Sequence, residues 1–364
     1  MKFSILQQDL WQSLQAVARS CGVRSQLPVL GNILLQTSKG KLKLSATNLE
    51  IGVIRMVNAE VIEEGAVTVP AKTLVETVAN LAGEKLEFTA TDDQVEITTV
   101  TFSSKINGIP AVEFPTIPLM GQETVVIDPE VLVKSLPQVT FAAAASEGRL
   151  TGILTEIKDK KLQLVATDGY RLAHKQVPLE KNSAFQALVP RRTLEEVTRL
   201  IAEDEADQIQ ISISDDQNQM MFKFGNTQVS SRLIEGQFPA WEKIIPTESK
   251  ARIVINRAEA LKAVKLASVF TRSEANIVTM QNLPGKVVLT SSAKEVGNQQ
   301  KEVDAEVEGE EIKISFNTKF LIDVLSAVNS SQMIIELSGN LSAALFKPMG
   351  EEGLEYIIMP VNLS

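Results

Sequence analysis

The feature that most constrains this chain is an internal triplication. Three alternating stretches, residues 40–48 ending at Asn48, 160–168 ending at Asp168 and 285–293 ending at Ala293, each read as a strand with apolar residues at every second position. The Ala-Thr pairs at Ala46 and Ala166 lie 120 residues apart, and the third copy, with Thr290-Ser291, follows about 124 later. A second series marks strand ends that turn into helices: Val69-Pro70-Ala71-Lys72-Thr73-Leu74, Val189-Pro190-Arg191-Arg192-Thr193-Leu194 and Phe316-Asn317-Thr318-Lys319-Phe320-Leu321. Pro tolerates a missing donor in a first helical turn, and Asn or Thr caps one. Apolar residues then recur at helical spacing, as in Leu74, Val78, Leu81; Leu194, Val197, Ile201; and Leu321, Val324, Leu325, Val328.

A third series opens each copy with a short strand and a helix. Phe3–Leu6 leads to Leu10, Leu14 and Val17; Val125–Ile127 to Leu132, Leu136 and Val139; Ile253–Ile255 to Ala260, Val264 and Ala267. Pro137 is expected to kink or end the second of these helices. The pairs Phe114-Pro115 and Phe238-Pro239, 124 apart, mark the ends of copies one and two. The order implies an α+β chain of three similar domains, residues 1–122, 123–248 and 249–364, each with two helices packed on antiparallel sheet.

Composition narrows the chemistry. The chain has one cysteine, Cys21, and one histidine, His174, so an internal disulfide and a zinc site of Cys/His type are excluded, and a Ser/His/Asp triad would have to use His174. No metal or cofactor is expected. Glycine-rich phosphate loops are absent. Asp92-Asp93 and Asp215-Asp216 fall between alternating strands, where Asp is favoured in turns; Thr167-Asp168-Gly169 reads first as a turn too. The start Met1-Lys2-Phe3-Ser4-Ile5 lacks the apolar run of a secretion signal, so a cytoplasmic location is expected.

With 36 Lys and Arg against 45 Asp and Glu, the formal charge is −9. The acids gather at 60–64, 203–207 and 302–311, outside the expected helices. The bases Arg19, Lys72, Lys134, Arg191, Arg192, Arg199, Arg257, Lys262, Lys265 and Lys319 fall in or beside those helices, with Arg192 and Arg199 expected on one face. Two readings remain open: an ordinary solvated surface, or a locally positive face for phosphates that reads no bases.

Several segments, in one order over the whole chain, resemble the bacterial DNA polymerase III beta subunit family of sliding clamps. They are the opening Met1-Lys2-Phe3, Leu27-Pro28-Val29-Leu30-Gly31-Asn32-Ile33-Leu34-Leu35, Val69-Pro70-Ala71, Ala166-Thr167-Asp168-Gly169-Tyr170-Arg171-Leu172-Ala173, Glu235-Gly236-Gln237-Phe238-Pro239 and Tyr356-Ile357-Ile358-Met359-Pro360-Val361-Asn362-Leu363. The resemblance implies a DNA clamp fold, a head-to-tail homodimer closing a ring around duplex DNA, and no catalytic activity. Family DNA contacts carry over to Arg24 and Lys72, and Arg149 stands where relatives can carry an aromatic contact. The closing interface maps to Ile106, Val269 and Phe270. A cleft for short peptides of the polymerase III alpha subunit, the clamp loader and other partners maps to Leu150, Thr167, Gly169, Tyr170, Arg171, Leu172, Pro239, Lys243, Ile244, Asn317, Phe320, Leu341, Ile357, Met359, Pro360 and Val361. Tyr170 replaces a common His and Lys243 a frequent Arg, which leaves peptide preference open.

Two other function classes compete with this reading. One is a protein-binding repeat scaffold that never encircles DNA; the other is a carboxylate enzyme built on Asp168 or the Asp pairs. The apolar run Ile357 to Leu363 likewise has two readings, a last core strand or a wall of the cleft.

Overall fold

The computed structural model describes residues 1–22, 27–81, 83–121, 123–146, 148–180, 184–204, 206–271, 276–293 and 297–362. In the first copy of the plan the order is β1 (Lys2–Leu6), α1 (Gln7–Ala18), β2 (Asn32–Ser38), β3 (Lys41–Thr47), β4 (Ile51–Asn58), β5 (Glu60–Glu63), β6 (Gly65–Pro70), α2 (Ala71–Ala79), β7 (Lys85–Thr91), β8 (Gln94–Thr98) and β9 (Ser103–Asn107). The second follows with β10 (Val125–Ile127), α3 (Pro129–Ser135), α4 (Pro137–Thr140), β11 (Gly152–Lys158), β12 (Lys161–Thr167), β13 (Arg171–Pro178), β14 (Phe185–Pro190), α5 (Arg191–Asp204), β15 (Ile209–Ile213), β16 (Gln219–Phe224) and β17 (Thr227–Arg232). The third comprises β18 (Ala251–Asn256), α6 (Arg257–Val269), β19 (Ile277–Leu283), β20 (Lys286–Ala293), β21 (Gly297–Gly309), β22 (Lys313–Asn317), α7 (Thr318–Ala327), β23 (Gln332–Leu337), β24 (Ala344–Pro348) and β25 (Leu354–Ile358). The order strand, helix, strands, helix, three strands thus recurs three times, as the spacing predicts.

Local chemistry explains where the helices begin and end. Pro137 divides the first helix of copy two into α3 and α4, since its ring cannot continue the preceding turn. The Asn256 side chain accepts from the Glu259 N–H at 3.1 Å and Asn317 accepts from the Lys319 N–H at 2.9 Å, capping α6 and α7. The apolar stripes face inward: Leu14, Val17, Leu74, Val78, Val139, Val197, Val264, Ala267, Leu321 and Val324 are all buried. Each fully buried Leu or Val stabilises the fold by about 1.5–3 kcal/mol relative to exposure. One boundary differs from expectation. Helix α5 runs to Asp204, so the acids at 203 and 204 lie in its last turn. Asp204 is tolerated there because Arg55 pairs with it at 3.3 Å in a largely buried contact.

The chain divides into two compact units, Met1–Leu132 with Glu196–Leu233, and Val133–Glu195 with Ile234–Ser364. The first holds a five-stranded sheet, β5-β1-β7-β8-β9, and an eight-stranded sheet, β10-β15-β16-β17-β4-β3-β2-β6; the second holds one twelve-stranded sheet, β14-β11-β12-β13-β25-β24-β23-β18-β21-β20-β19-β22. Strands of different copies therefore pair. β4 joins β17 antiparallel from Ile51↔Ser231 to Arg55↔Thr227, and β13 joins β25 from Arg171↔Ile358 to Lys175↔Leu354. These two joints are equivalent by position in the repeat and decide where the candidate site lies.

Candidate functional site

The turn before β13 is built by its own side chains. Thr167 donates its hydroxyl to the Arg171 carbonyl at 2.7 Å and accepts from the Gly169 N–H at 3.0 Å. Asp168 Oδ1 accepts from the N–H groups of Tyr170 and Arg171, each at 3.0 Å. Gly169 takes φ +90°, a conformation that glycine adopts without cost. The turn leaves Tyr170 pointing outward, 67% exposed, while Arg171 beside it is buried. The Asp168 carboxylate thus holds the turn together through Oδ1.

Arg171 spends its guanidinium inside the protein. Nε donates to Asp168 Oδ2 at 3.0 Å, Nη1 to Asp323 Oδ2 at 2.6 Å and Nη2 to the Phe141 carbonyl at 2.8 Å. The cation lies 4.6 Å from the ring centre of Phe320 and 5.3 Å from that of Phe141. Hydrogen bonds to a charged group and two aromatic faces compensate its removal from water.

Below the turn, Leu154, Val165, Leu172, Trp241, Leu345 and Ile357 form one buried apolar cluster, with Phe238, Ile245 and Ala343 packed against it. Leu172 faces Ile357 across the joint. Around this floor stand large apolar side chains that remain open to solvent: Tyr170, Ile244, Leu341 and Met359. The terminal run divides at the end of β25. Ile357 and Ile358 are buried in β25, and from Met359 onward the chain leaves the strand, the Met359 N–H donating to the Tyr170 carbonyl and the Val361 N–H to that of Ser315, each at 2.8 Å.

Of the sixteen expected cleft positions, the structure joins Thr167, Gly169 to Leu172, Phe320, Ile357 and Met359 through these contacts, while the Val361 N–H is tied to the Ser315 carbonyl. Pro239 and Ile244 flank cluster members Phe238, Trp241 and Ile245. Leu150 is the middle residue of the short 3-10 turn Arg149–Thr151, its carbonyl accepting from the Ala144 N–H at 2.8 Å, and Asn317 caps α7. Lys243 and Leu341 are exposed on connecting segments, and Pro360 is partly exposed after β25. Sequence reasoning missed Trp241, the Phe141 ring and Asp323. A signal for Trp241 existed, because it lies three residues past the Phe238-Pro239 mark; Asp323 on α7 gave none.

Nine of the ten helix bases, all but Lys134, sort into two groups. Arg191 pairs with Glu195 at 2.7 Å, Arg199 with Glu196 and Glu203, and Arg257 donates to the Ser330 and Leu325 carbonyls. These three serve the fold, and the expected shared face of Arg192 and Arg199 is not formed by two free cations. Arg19, Lys72, Arg192, Lys262, Lys265 and Lys319 are exposed and form no ion pair with another described residue. Arg24 lies outside the described residues. Arg149 is exposed, its Nη1 donating to the Gln237 carbonyl at 3.3 Å. Gly236, at φ +112°, leaves room for it: a Cβ there would stand 2.7 Å from Arg149 Cδ.

Asp92 and Asp216 occupy tight turns, as expected, and the Ser214 hydroxyl on Asp216 holds its carboxyl below the usual range. No group of three or more His, Cys, Asp or Glu able to hold a metal occurs among the described residues. No helix among them is long and apolar enough to cross a membrane.

Among the described residues each sheet ends in strands with a single partner, and two open edges match by their place in the repeat. β9 pairs with β8 alone, and residues 298–304 of β21 pair only with β20 among the described residues. Ile106 on β9 is buried in its own unit, whereas Val269 is 53% exposed and Phe270 partly exposed at the end of α6, which packs on β20 and β21.

Comparison with known proteins fits this geometry. Family models of the DNA polymerase III beta subunit match along the chain: the N-terminal domain over residues 1–118, the central domain over 126–240 and the C-terminal domain over 242–362. The beta sliding clamp of Synechococcus elongatus is 32% identical, with all of both chains covered. The crystal structure of the DNA polymerase sliding clamp from Bacillus subtilis superposes with a TM-score of 0.96 at 25% identity, and that of the Pseudomonas aeruginosa clamp bound to griselimycin with 0.95 at 27%, each covering the whole of both chains. With a full-length relative above 30% identity, three domain models in order and the repeated strand joint, the chain belongs to the DNA polymerase III beta subunit family, the beta sliding clamps.

Proposed function

We propose that two copies of this chain close head to tail into a ring that encircles duplex DNA and tethers the replicative polymerase as a processivity factor. The observation that carries the reading is a matching pair among the open edges, β21 and β9. β21 holds the place in copy three that β4 and β13 hold in theirs, and β9 holds the place of β17 and β25. A β21·β9 ladder between two chains repeats the joint used twice within each, and a heterologous contact whose rotation closes yields a finite ring. Val269 and Phe270, on the helix that packs on β21, would be covered by it, while Ile106 would act from within β9 by fixing its strand.

The chain is divided here into three domains, residues 1–122, 123–248 and 249–364, a division supported by three successive family-model matches at 1–118, 126–240 and 242–362. The free bases Lys72, Arg192, Lys262, Lys265 and Lys319, with Arg24 and Arg149, supply phosphate contacts without base readout, which permits sliding. The cleft over Leu172, Trp241 and Ile357 takes an apolar peptide segment of the polymerase alpha subunit, of the loader or of another partner. No catalytic role is assigned, and a cytoplasmic site of action follows from work on the chromosome.

Retention on DNA decides between this reading and a scaffold that never meets it. Loaded onto a nicked circle, the protein should remain bound at salt that abolishes binding to a short linear duplex, and should leave once the circle is cut. Rapid loss from intact circles overturns the ring. Phe270→Asp should move sedimentation from dimer toward monomer, because the charge would be buried at the joint.

A further inference from the structure

The buried Arg171 cluster extends beyond the cleft to Asp323, which the sequence marks only as one of the acids mixed among the helix bases. Asp323 sits on α7 one helical turn after Phe320, so the two share a face of that helix. Its carboxylate holds Arg171 Nη1 at 2.6 Å, while Phe320 covers the same guanidinium at 4.6 Å. Asp323 itself lines a different groove, about 660 Å³ in volume, with Phe141, Gln138 and Glu351 among its walls; Tyr170, Ile244, Leu341 and Met359 take no part in that groove. It is therefore placed behind the cleft.

The equivalent joint shows what this arrangement adds. In register with the repeat, Asp323 corresponds to Glu196 on α5, and Arg171 to Ile51. Glu196 is held by Arg199 of its own helix, which also donates to the Ala16 carbonyl of α1 at 3.3 Å. There the carboxylate ties helix to helix and leaves the Thr47–Ile51 turn alone. At the second joint the arginine comes from the turn, so the carboxylate ties helix to turn.

We propose that Asp323 is a positioning residue for the cleft: through Arg171 it locks the Thr167–Leu172 turn against α7 and keeps Tyr170 and Phe320 in one binding geometry. The proposal rests on the peptide-cleft reading above. A bound peptide would otherwise have to order the turn itself, at a cost to affinity.

The test uses the full-length chain, fluorescence anisotropy with a fluorescein-labelled octapeptide carrying leucine and phenylalanine anchors, and amide exchange at residues 169–171 and 49–51. Asp323→Asn should weaken binding about tenfold and speed exchange at 169–171 without changing 49–51. Asp323→Glu should restore affinity to within about threefold of wild type, and in an Arg171→Met background Asp323→Asn should add less than about twofold. Wild-type affinity in Asp323→Asn, or an undiminished effect in the Arg171→Met background, overturns the proposal. Should Asp323→Asn fail to fold, Arg171→Lys carries the test, since it keeps the charge and loses the planar fork; unchanged affinity there overturns it equally. Met359→Asp is the control for the cleft: if it binds the octapeptide normally, the cleft reading fails, independently of Asp323.

Discussion

The joints β4·β17 and β13·β25 share a backbone and differ in what they do with it. Both are antiparallel ladders of five residue pairs entered through the same turn. Thr47 and Asn48 make the hydrogen bonds of Thr167 and Asp168: the Thr47 hydroxyl donates to the Ile51 carbonyl at 3.0 Å, and Asn48 Oδ1 accepts from the Glu50 and Ile51 N–H groups. Both are followed by a Phe-Pro segment. At the first joint Gly52 faces Ser230, and a Cβ on it would meet Ile117 Cγ2 at 2.8 Å, so the chain's own linker fills the hollow. Ile117 and Phe114 are buried there with Val29 and Ile54. At the second joint Leu172 and Ile357 replace that pair, Trp241 takes the place of Ile117, and an apolar floor is rimmed by exposed Tyr170, Ile244 and Met359. One backbone thus yields a closed joint or an open one, according to a few side chains at matching positions.

The largest expected effect attacks the open floor. Leu172→Ala should destabilise the protein by about 2–5 kcal/mol, measured by chemical denaturation, because it leaves a cavity beside Trp241 and Ile357. Peptide binding should be lost with it. A cost below about 1 kcal/mol would mean that Leu172 is not floor but rim.

Overfilling the closed joint comes next. Gly52→Ala should cost about 1–3 kcal/mol, since Ile117 cannot withdraw freely from a packed cluster. Adding Ile117→Ala should return part of that loss, so that the double variant is less destabilised than the two single effects combined. Strict additivity would show that Ile117 does not fill the glycine hollow.

Smaller still is a change confined to binding. Met359→Asp should weaken octapeptide affinity about tenfold, or 1.4 kcal/mol, with an unchanged melting temperature, while Leu49→Asp at the closed joint should leave affinity untouched. A cut after Ile358, which preserves β25, should act like Met359→Asp; a cut after Tyr356 would remove buried strand residues and confuse binding with folding.

The smallest effect is chemical and belongs to the unit of the closed joint. Burial pushes the Cys21 thiol up to about 12. At pH 8 the reactive thiolate is then on the order of one part in ten thousand, so alkylation of the native protein should be slow and rise about tenfold per pH unit between 7 and 10. Rapid labelling at pH 7 would show that Cys21 is open to solvent.

How much of this was legible beforehand depends on range. Pro137, Asn317 and the stripe Leu321, Val324, Leu325 act within a turn or two of helix, so caps, breaks and faces could be read from spacing alone. The Thr167–Arg171 turn was legible for the same reason. Ten helix bases were legible as residues, and the pairs of Arg199 with Glu196 and Glu203 lie within one helix, but Arg257 reaches the Leu325 carbonyl and Arg199 the Ala16 carbonyl only through the packing of helix on helix.

By itself the sequence determined the triplication, the α+β class, the elements within each copy and, by resemblance, the cleft positions. The tertiary structure decided which copies pair, through β4·β17 and β13·β25, and therefore which turn opens onto a floor. It also decided that Asp323 meets Arg171 across 152 residues of chain. The physical reason is that hydrogen bonds along an exposed strand edge are the same for every sequence, so the choice of partner edge is made by side chains brought together only after the chain has folded.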